Sequence, residues 1–160
     1  MKMLYKMLLL FFCFGINLTA QHFTINILPI NGSDINYDLV VKIKADSATK
    51  SALGNATLRF NFDDEKLYFP RHPIEGSDFS FDAFKSKQYL CTVTKPTYNT
   101  ISVNIFYKRG NPLFISESST ELVRIKFKKQ LSGADLKFDH FKSEFFSPNS
   151  SKPWKIDVTF

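Results

Sequence analysis

The chain has 160 residues, which is the length of one ordinary domain and enough to bury a sizeable core. Its two cysteines, Cys13 and Cys91, are too few for a disulfide framework or for a metal site built on cysteine spacing. The formal net charge of +6 comes from basic residues scattered among acidic ones, and no nucleic-acid motif accompanies them. Composition therefore predicts a mildly basic protein that does not bind nucleic acid.

The N-terminus has the pattern of a secretory signal peptide. Residues 1–6 form a short basic segment, the apolar run Met7–Phe14 follows, and the small residue Ala20 precedes the predicted cleavage point. The run is too short to span a bilayer, which needs roughly 20 apolar residues. We therefore expect residues 1–20 to be removed and residues 21–160 to form one exported domain without a transmembrane segment. The periplasm, the cell surface and the medium all stay open as its location.

From residue 23 onward, apolar and polar residues alternate in short runs. This period of two predicts half-buried strands, each with one face in a core and the other in water. Two antiparallel sheets packed through their apolar faces satisfy the pattern most simply. We predict a single all-β domain, an antiparallel two-sheet β-sandwich. The alternating runs are residues 23–27, 37–44, 57–62, 91–94, 101–105, 123–128 and 155–160.

The segments between these runs carry turn residues. Asn31–Asp34 is predicted to join the first two strands, and Asp63–Lys66 is predicted to form a tight acidic turn. The longest irregular stretch runs from Arg71 to about Lys87 and contains several phenylalanines. No segment predicts a helix longer than a turn or two.

Two stretches resemble the strands of cohesin-like domains. Residues 53–63 form an alternating strand that ends at an aspartate turn, and the apolar step Leu67–Pro70 follows. Residues 120–129 resemble the penultimate strand, and Leu136–Phe138 would be the strand after it. The resemblance implies a cohesin-like, jelly-roll-like sandwich, as in exported proteins of Bacteroidetes-type bacteria and similar to carbohydrate-binding modules. It also implies a non-catalytic role in binding another protein.

The outward residues of four runs would make one polar surface if their strands lie side by side. In cohesins the corresponding sheet face receives the partner, so the resemblance implies an interaction surface here. Arginine and exposed aromatic residues are enriched at interfaces, although an ordinary water-facing sheet has the same composition. The predicted partner-binding residues are Thr57, Arg59, Asn61, Thr92, Thr94, Ser102, Asn104, Phe106, Arg124, Lys126 and Lys128.

Aromatic residues suggest an alternative, because planar rings on a sheet face can stack on sugars. Tyr98 and Trp154 are the main candidates for a glycan platform, and the further candidates are Phe106, Tyr107 and the loop phenylalanines Phe79, Phe81 and Phe84. The competing interpretation is that these rings fill the sandwich core.

No group of residues predicts catalysis. Asp63, Asp64 and Glu65 are adjacent in a turn, so their carboxylates would point apart rather than act as a hydrolytic pair. We expect a hydrated turn, with calcium binding as the alternative. No nucleophile motif surrounds any histidine; the histidines are His22, His72 and His140.

The sequence thus predicts an exported binding module that is not an enzyme and needs no metal or cofactor. A protein partner is favoured. Binding of a polysaccharide through exposed rings is the alternative.

Overall fold

The computed structural model describes residues 22–30, 35–48, 50–85, 88–133 and 136–160. The predicted signal peptide, residues 1–20, and the predicted turn Asn31–Asp34 lie outside the described residues. Within the described ranges, no helix is long and apolar enough to cross a membrane.

The described residues are mostly strands, with 3-10 turns at Asp82–Phe84 and His140–Lys142. In chain order the strands are β1 (His22–Ile30), β2 (Asn36–Ala45), β3 (Ser51–Leu53), β4 (Ala56–Phe62), β5 (Leu67–Tyr68), β6 (Phe79–Ser80), β7 (Tyr89–Thr97), β8 (Thr100–Tyr107), β9 (Leu113–Ile115), β10 (Thr120–Lys129), β11 (Leu136–Phe138), β12 (Glu144–Phe145) and β13 (Lys155–Thr159).

These strands form two main sheets. The first sheet has the order β13–β1–β2–β10–β5, and β6 also pairs with β10. The second sheet has the order β11–β4–β8–β7, and β12 also pairs with β4. Strands β3 and β9 form a separate short ladder. Within the described residues the paired strands run antiparallel, except that β13 runs parallel to β1.

The alternating sequence decides which face of each strand is buried. In β4, Leu58 and Phe60 are fully buried, whereas Thr57, Arg59 and Asn61 are half-buried and face outward. Each large apolar side chain taken out of water stabilises the fold by about 1.5–3 kcal/mol. The apolar faces of the two main sheets therefore pack against each other and form one core.

Phe127 of β10 holds the two sheets together at one end of that core. Its ring lies 5.4 Å from the Phe62 ring on the second sheet and 5.4 Å from the Phe69 ring that follows β5. The Tyr37 ring of β2 is 6.0 Å away. Tilted and edge-to-face contacts of this kind are favourable for aromatic pairs.

The phenylalanines of the long irregular stretch also belong to the core. Phe79, Phe81 and Phe84 are 6%, 2% and 5% exposed, so none of them can serve as a glycan platform. Phe84 packs edge-on against Tyr89, with ring centroids 4.9 Å apart. These rings close the side of the sandwich beside β10. The interpretation that they fill the core is confirmed.

The two-sheet sandwich is confirmed, and each of the alternating runs lies in a strand, except that Phe160 follows the end of β13. The parallel pairing of β13 with β1 was not predicted. After β12, which pairs in the second sheet, the chain crosses between sheets and Trp154 N donates to Phe145 O (2.7 Å). Strand β13 then enters the first sheet in the direction of β1. Alternation reports which face of a strand is buried, but not its direction relative to its neighbour.

Candidate partner-binding face

The predicted partner-binding residues do not form one surface. Strand β10 carries Arg124, Lys126 and Lys128 and lies in the first sheet, between β2 and β5. The other predicted residues lie on β4, β7 and β8 of the second sheet. Because the two sheets pack through their inner faces, their outer faces point in opposite directions. The prediction of a single face was therefore wrong for these three basic residues.

The second sheet brings the remaining residues together in rows across neighbouring strands. Thr57 of β4 pairs with Asn104 of β8, which pairs with Thr92 of β7. The next row contains Arg59, Ser102 and Thr94, and Asn61 pairs with Thr100 one row further. We call this outer surface of β4, β8 and β7 the polar face.

Hydrogen bonds between short side chains link neighbouring positions of the polar face. Thr100 Oγ1 donates to Asn61 Oδ1 (3.0 Å), and Ser102 Oγ donates to Asn104 Oδ1 (3.3 Å). Ser102 is 5% exposed, so its hydroxyl lies below its neighbours. Polar groups that are already paired lose less when a partner displaces water from them. These paired positions of the face are therefore less costly to desolvate than unpaired polar groups would be.

Arg59 stands at the edge of the polar face next to the 3-10 turn His140–Lys142. Its backbone N donates to Ser143 Oγ (2.9 Å), and its carbonyl accepts from Asp139 N (2.8 Å). These bonds anchor the turn to the middle of β4. The guanidinium has no ion pair or hydrogen bond with any other described residue, and it remains half-exposed. It is free to meet an acidic group on a partner.

An apolar pair ends the polar face on the side away from Asn61. Leu90 and Phe106 lie directly opposite each other on β7 and β8, 48% and 47% exposed. Phe106 was predicted, but Leu90 was missed. The period of two could have found it, because Cys91 and Val93 point inward and leave Leu90 pointing out.

On the opposite outer surface, Arg124 is already neutralised. Its guanidinium donates to both carboxylate oxygens of Glu121 (3.2 and 3.0 Å) and lies 3.8 Å from Asp38 Oδ2. Lys126 and Lys128 are exposed beside a shallow cleft near Tyr68. An arginine with two acidic neighbours has little attraction left for an acidic partner.

Trp154 is unsuited to sugar stacking, contrary to the alternative prediction. The Phe23 ring stacks on its indole with a centroid separation of 3.9 Å and an interplanar angle of 13°. The Phe145 ring lies almost parallel as well, 6.4 Å away, and the indole Nε1 donates to Ser147 Oγ (2.9 Å). Tyr98, in contrast, is 70% exposed in the turn between β7 and β8.

The described residues show no grouping of titratable side chains that would do chemistry. No three of their histidine, cysteine or carboxylate side chains come together as a metal site requires. Asp63 is engaged in its own turn, where it accepts from Glu65 N (3.1 Å) and pairs with Lys66 (3.3 Å). Burial, with a smaller contribution from the charge of Glu75, raises the pKa of Cys91 to about 12, so this thiol is unreactive at neutral pH.

No protein-family model matches the chain, and neither does any protein of curated function. Similarity is found among solved structures. The third cohesin of ScaC from Acetivibrio cellulolyticus, in complex with the ScaB dockerin, has a TM-score of 0.62 at 13% identity, covering 86% of this chain and 94% of that one. The second type II cohesin module of the cellulosomal adaptor ScaA scaffoldin from the same organism has a TM-score of 0.60 at 10% identity, covering 89% and 94%.

A further similar structure is the seventh ScaB type I cohesin from Pseudobacteroides cellulosolvens. Its TM-score is 0.56 at 15% identity, with 87% of this chain and 88% of that chain covered. The chain therefore has a cohesin-like fold along nearly its whole described length. At these identities the similarity defines the fold alone.

Proposed function

We propose that the chain is a non-catalytic module that binds another protein through the polar face. The observation that carries the proposal is the internally hydrogen-bonded surface of β4, β8 and β7, with Arg59, whose guanidinium is unpaired among the described residues, at one edge and the exposed pair Leu90 and Phe106 at one end. The similar ScaC cohesin was solved in complex with a dockerin, a protein partner, which supports the proposal.

The composition of the polar face suits recognition of a protein. Threonine, serine and asparagine supply hydrogen-bonding groups across three neighbouring strands, while Phe106 and Leu90 offer an apolar anchor point. Interfaces concentrate their binding energy in a few such residues, above all aromatic ones and arginine, and the surrounding contacts mainly exclude water. We expect Arg59 and Phe106 to carry most of the affinity.

The basic residues of β10 have no part in the proposed interface. Arg124 is paired with Glu121 and Asp38, and the whole strand faces away from the polar face. Charge complementarity with the partner rests on Arg59 instead. A partner with an acidic group next to an apolar side chain would match this arrangement.

We further propose that the module acts outside the cytoplasm. The basic and apolar residues at positions 1–20 support export by a signal peptide. One similar type II cohesin comes from the cellulosome of Acetivibrio cellulolyticus, a setting that agrees with an exported module. A polysaccharide ligand has weaker support, because the indole of Trp154 is stacked on Phe23, and the exposed candidate rings Tyr98 and Phe106 lie at separate positions, in the β7–β8 turn and on β8.

Affinity capture with matched surface variants tests the proposed face. The exported chain would be immobilised and incubated with envelope and secreted fractions of its native organism, and the bound proteins would be identified by mass spectrometry. Arg59→Glu combined with Phe106→Ser is expected to weaken capture of the specific partner by at least about tenfold, because one change reverses the charge that would meet an acidic group and the other removes the aromatic anchor. Both residues are partly exposed, so the thermal midpoint should change little.

Lys126→Glu is the matched control, because it changes an exposed basic residue on the opposite outer surface. Capture should be unaffected by it. If the partner is still captured by the Arg59 and Phe106 double variant but not by the Lys126→Glu variant, the interface lies on the first sheet instead. Capture of glycan without protein would favour the polysaccharide alternative.

A further inference from the structure

The edges of the two main sheets differ in how well they are protected from pairing with another strand. An exposed edge strand presents unpaired N–H and C=O groups, and proteins blunt such edges with breaks, bulges and prolines. On one side of the first sheet, β5 and β6 are two-residue strands separated by a loop. In the second sheet, the 3-10 turn His140–Lys142 interrupts the edge formed by β11 and β12. Strand β7 has a register shift between Thr94 and Thr97, where Pro96 lies.

Strand β13 has no break, bulge or proline, and the feature of this kind that it does carry is a pair of charged side chains, Lys155 and Asp157, which deter a partner strand unless that strand neutralises them. It is a five-residue strand, Lys155–Thr159, paired without a break to β1 in the continuous register from His22 to Asn26. In the sheet order it is the outermost strand, so its other side has no strand beside it in the described chain. Regular pairing with β1 on one side holds β13 extended. The backbone N–H and C=O groups on its other side can therefore pair with another strand.

The side chains of β13 alternate in a pattern whose charges are complementary when two copies of the strand run antiparallel. Lys155 and Asp157 are exposed, and neither has an ion pair or side-chain hydrogen bond with another described residue. Ile156 and Val158 are half-buried along the margin of the core. Opposite charges thus lie two positions apart, with an apolar residue between them.

We infer that a second copy of this chain pairs with β13, antiparallel, about a two-fold axis at Ile156. In this register Lys155 lies opposite the second copy's Asp157, and Asp157 lies opposite the second copy's Lys155. Ile156 meets its own equivalent. Residues directly opposite across antiparallel strands lie on the same face and interact, favourably when their charges are opposite. Because two-fold symmetry repeats each contact, one strand supplies both ion pairs.

The charges also select this register over its neighbour. Moving the two-fold axis to Asp157 would place two carboxylates directly opposite each other, which is unfavourable. An unrelated extended segment could use the same backbone groups, but it would need its own matching acidic and basic residues two positions apart. The self-complementary charges therefore favour a second copy as the occupant.

A groove of mixed polar and apolar lining beside β13 adds to the surface that the second copy would cover. It is lined in part by Trp154 and Ile156 and by Phe141, whose side chain is 97% exposed on the 3-10 turn. Covering such a ring removes apolar area from water. In this register only residues 155–157 of the two β13 strands lie opposite each other, so we expect a weak dimer whose population rises with protein concentration.

The inferred dimer leaves the polar faces accessible, because β13 is in the first sheet and the polar face is in the second. A dimer would present two polar faces and could bind a multivalent partner more tightly than one module does. The inference does not depend on the proposed function, and its test involves no partner.

Sedimentation velocity over a concentration series tests the pairing with charge variants. The protein would be the exported chain, its N-terminus established by intact mass. Lys155→Asp and Asp157→Lys should each weaken the dimer by roughly tenfold or more, because each turns two attractions into two repulsions. The double variant Lys155→Asp with Asp157→Lys should restore it. Lys126→Asp, an equal charge change away from the edge, should leave it unchanged.

A register-specific cross-link gives an independent result. Ile156→Cys should form an intermolecular disulfide under mild oxidation, whereas Thr94→Cys, an exposed position on β7, should not. Cys91 does not compete, because its thiol stays protonated at neutral pH. A chain that remains monomeric at every concentration would overturn the inference. A dimer that withstands Lys155→Asp, or that the charge-swapped double variant fails to restore, would overturn it as well.

Discussion

At the scale of single residues, Gly54 shows how closely the backbone packs where the chain crosses between sheets. Its N–H donates to Phe146 O (2.7 Å), and a Cβ built on it would lie 2.6 Å from the backbone carbonyl carbon of Ser147. Real Cβ atoms do not approach backbone atoms so closely. A side chain at this position would therefore push the segment after β12 away from the sandwich.

We expect Gly54→Ala to destabilise the protein by about 1–3 kcal/mol, because the contacting atoms belong to the backbone and cannot rotate away. Urea unfolding followed by tryptophan fluorescence would measure the loss, since Trp154 lies after the displaced segment. Gly76→Ala is the contrasting variant. Gly76 has φ +91° and nothing within 4 Å of a built Cβ, so only backbone strain of roughly 1–2 kcal/mol applies there. Equal stability of Gly54→Ala and the parent would contradict the steric argument.

At the scale of elements, Ser143 joins the interrupted edge of the second sheet to β4. Its Oγ accepts from Arg59 N (2.9 Å) and donates to Asp139 O (2.7 Å). Strands β11 and β12 both pair with β4, and the 3-10 turn interrupts the edge between them. At this point the Ser143 side chain takes the place of a strand residue. One hydroxyl thus satisfies the β4 backbone at a point where no neighbouring strand reaches it.

Ser143→Ala should leave the Arg59 N–H without that acceptor and cost about 1–3 kcal/mol. Hydrogen exchange is the direct measurement, and the Arg59 amide should exchange faster while the amides of β2 keep their protection. Ser77→Ala is a suitable control, because Ser77 Oγ makes an exposed hydrogen bond to Ile74 O (3.3 Å) in a loop. Unchanged protection of the Arg59 amide would show that another group takes over the role of Ser143.

At the scale of the whole molecule, the sandwich separates its surfaces by sheet. The polar face belongs to the second sheet, while β13 and the basic residues of β10 belong to the first. A module built in this way can offer its partner one surface and keep a second edge for a different contact. The proposed location outside the cytoplasm depends on the N-terminal residues, and processing can be tested directly.

Expression of the full chain in a Gram-negative host should release a protein whose intact mass corresponds to cleavage after Ala20 or Gln21. Leu9→Arg should block export, because a charge in the middle of the short apolar run disrupts the signal-peptide pattern. Leu28→Arg, which adds the same charge within β1, serves as a control at a position outside the leader. Retention of residues 1–20 in the exported protein would contradict the predicted processing.

Much of the fold could be predicted from the sequence. Strict alternation in runs such as 57–62 and 101–105 determines which side chains are buried, because successive residues of a strand point to opposite faces. The same rule correctly turned Arg59, Asn104 and Phe106 outward, whereas Ser102 on the same face is 5% exposed. Composition and spacing also determined the two-sheet class, since so many half-buried strands can bury their apolar faces only against each other.

Only the tertiary structure decided which strands are neighbours. Strand β10 has the same alternation as β4, yet it joins the first sheet and carries Arg124 away from Arg59. The parallel approach of β13 to β1 was likewise beyond the sequence, which also left open whether Trp154 packs against the core or faces a sugar. The physical reason is that alternation is local, whereas sheet membership is set by long-range packing of faces that look alike to a strand considered alone.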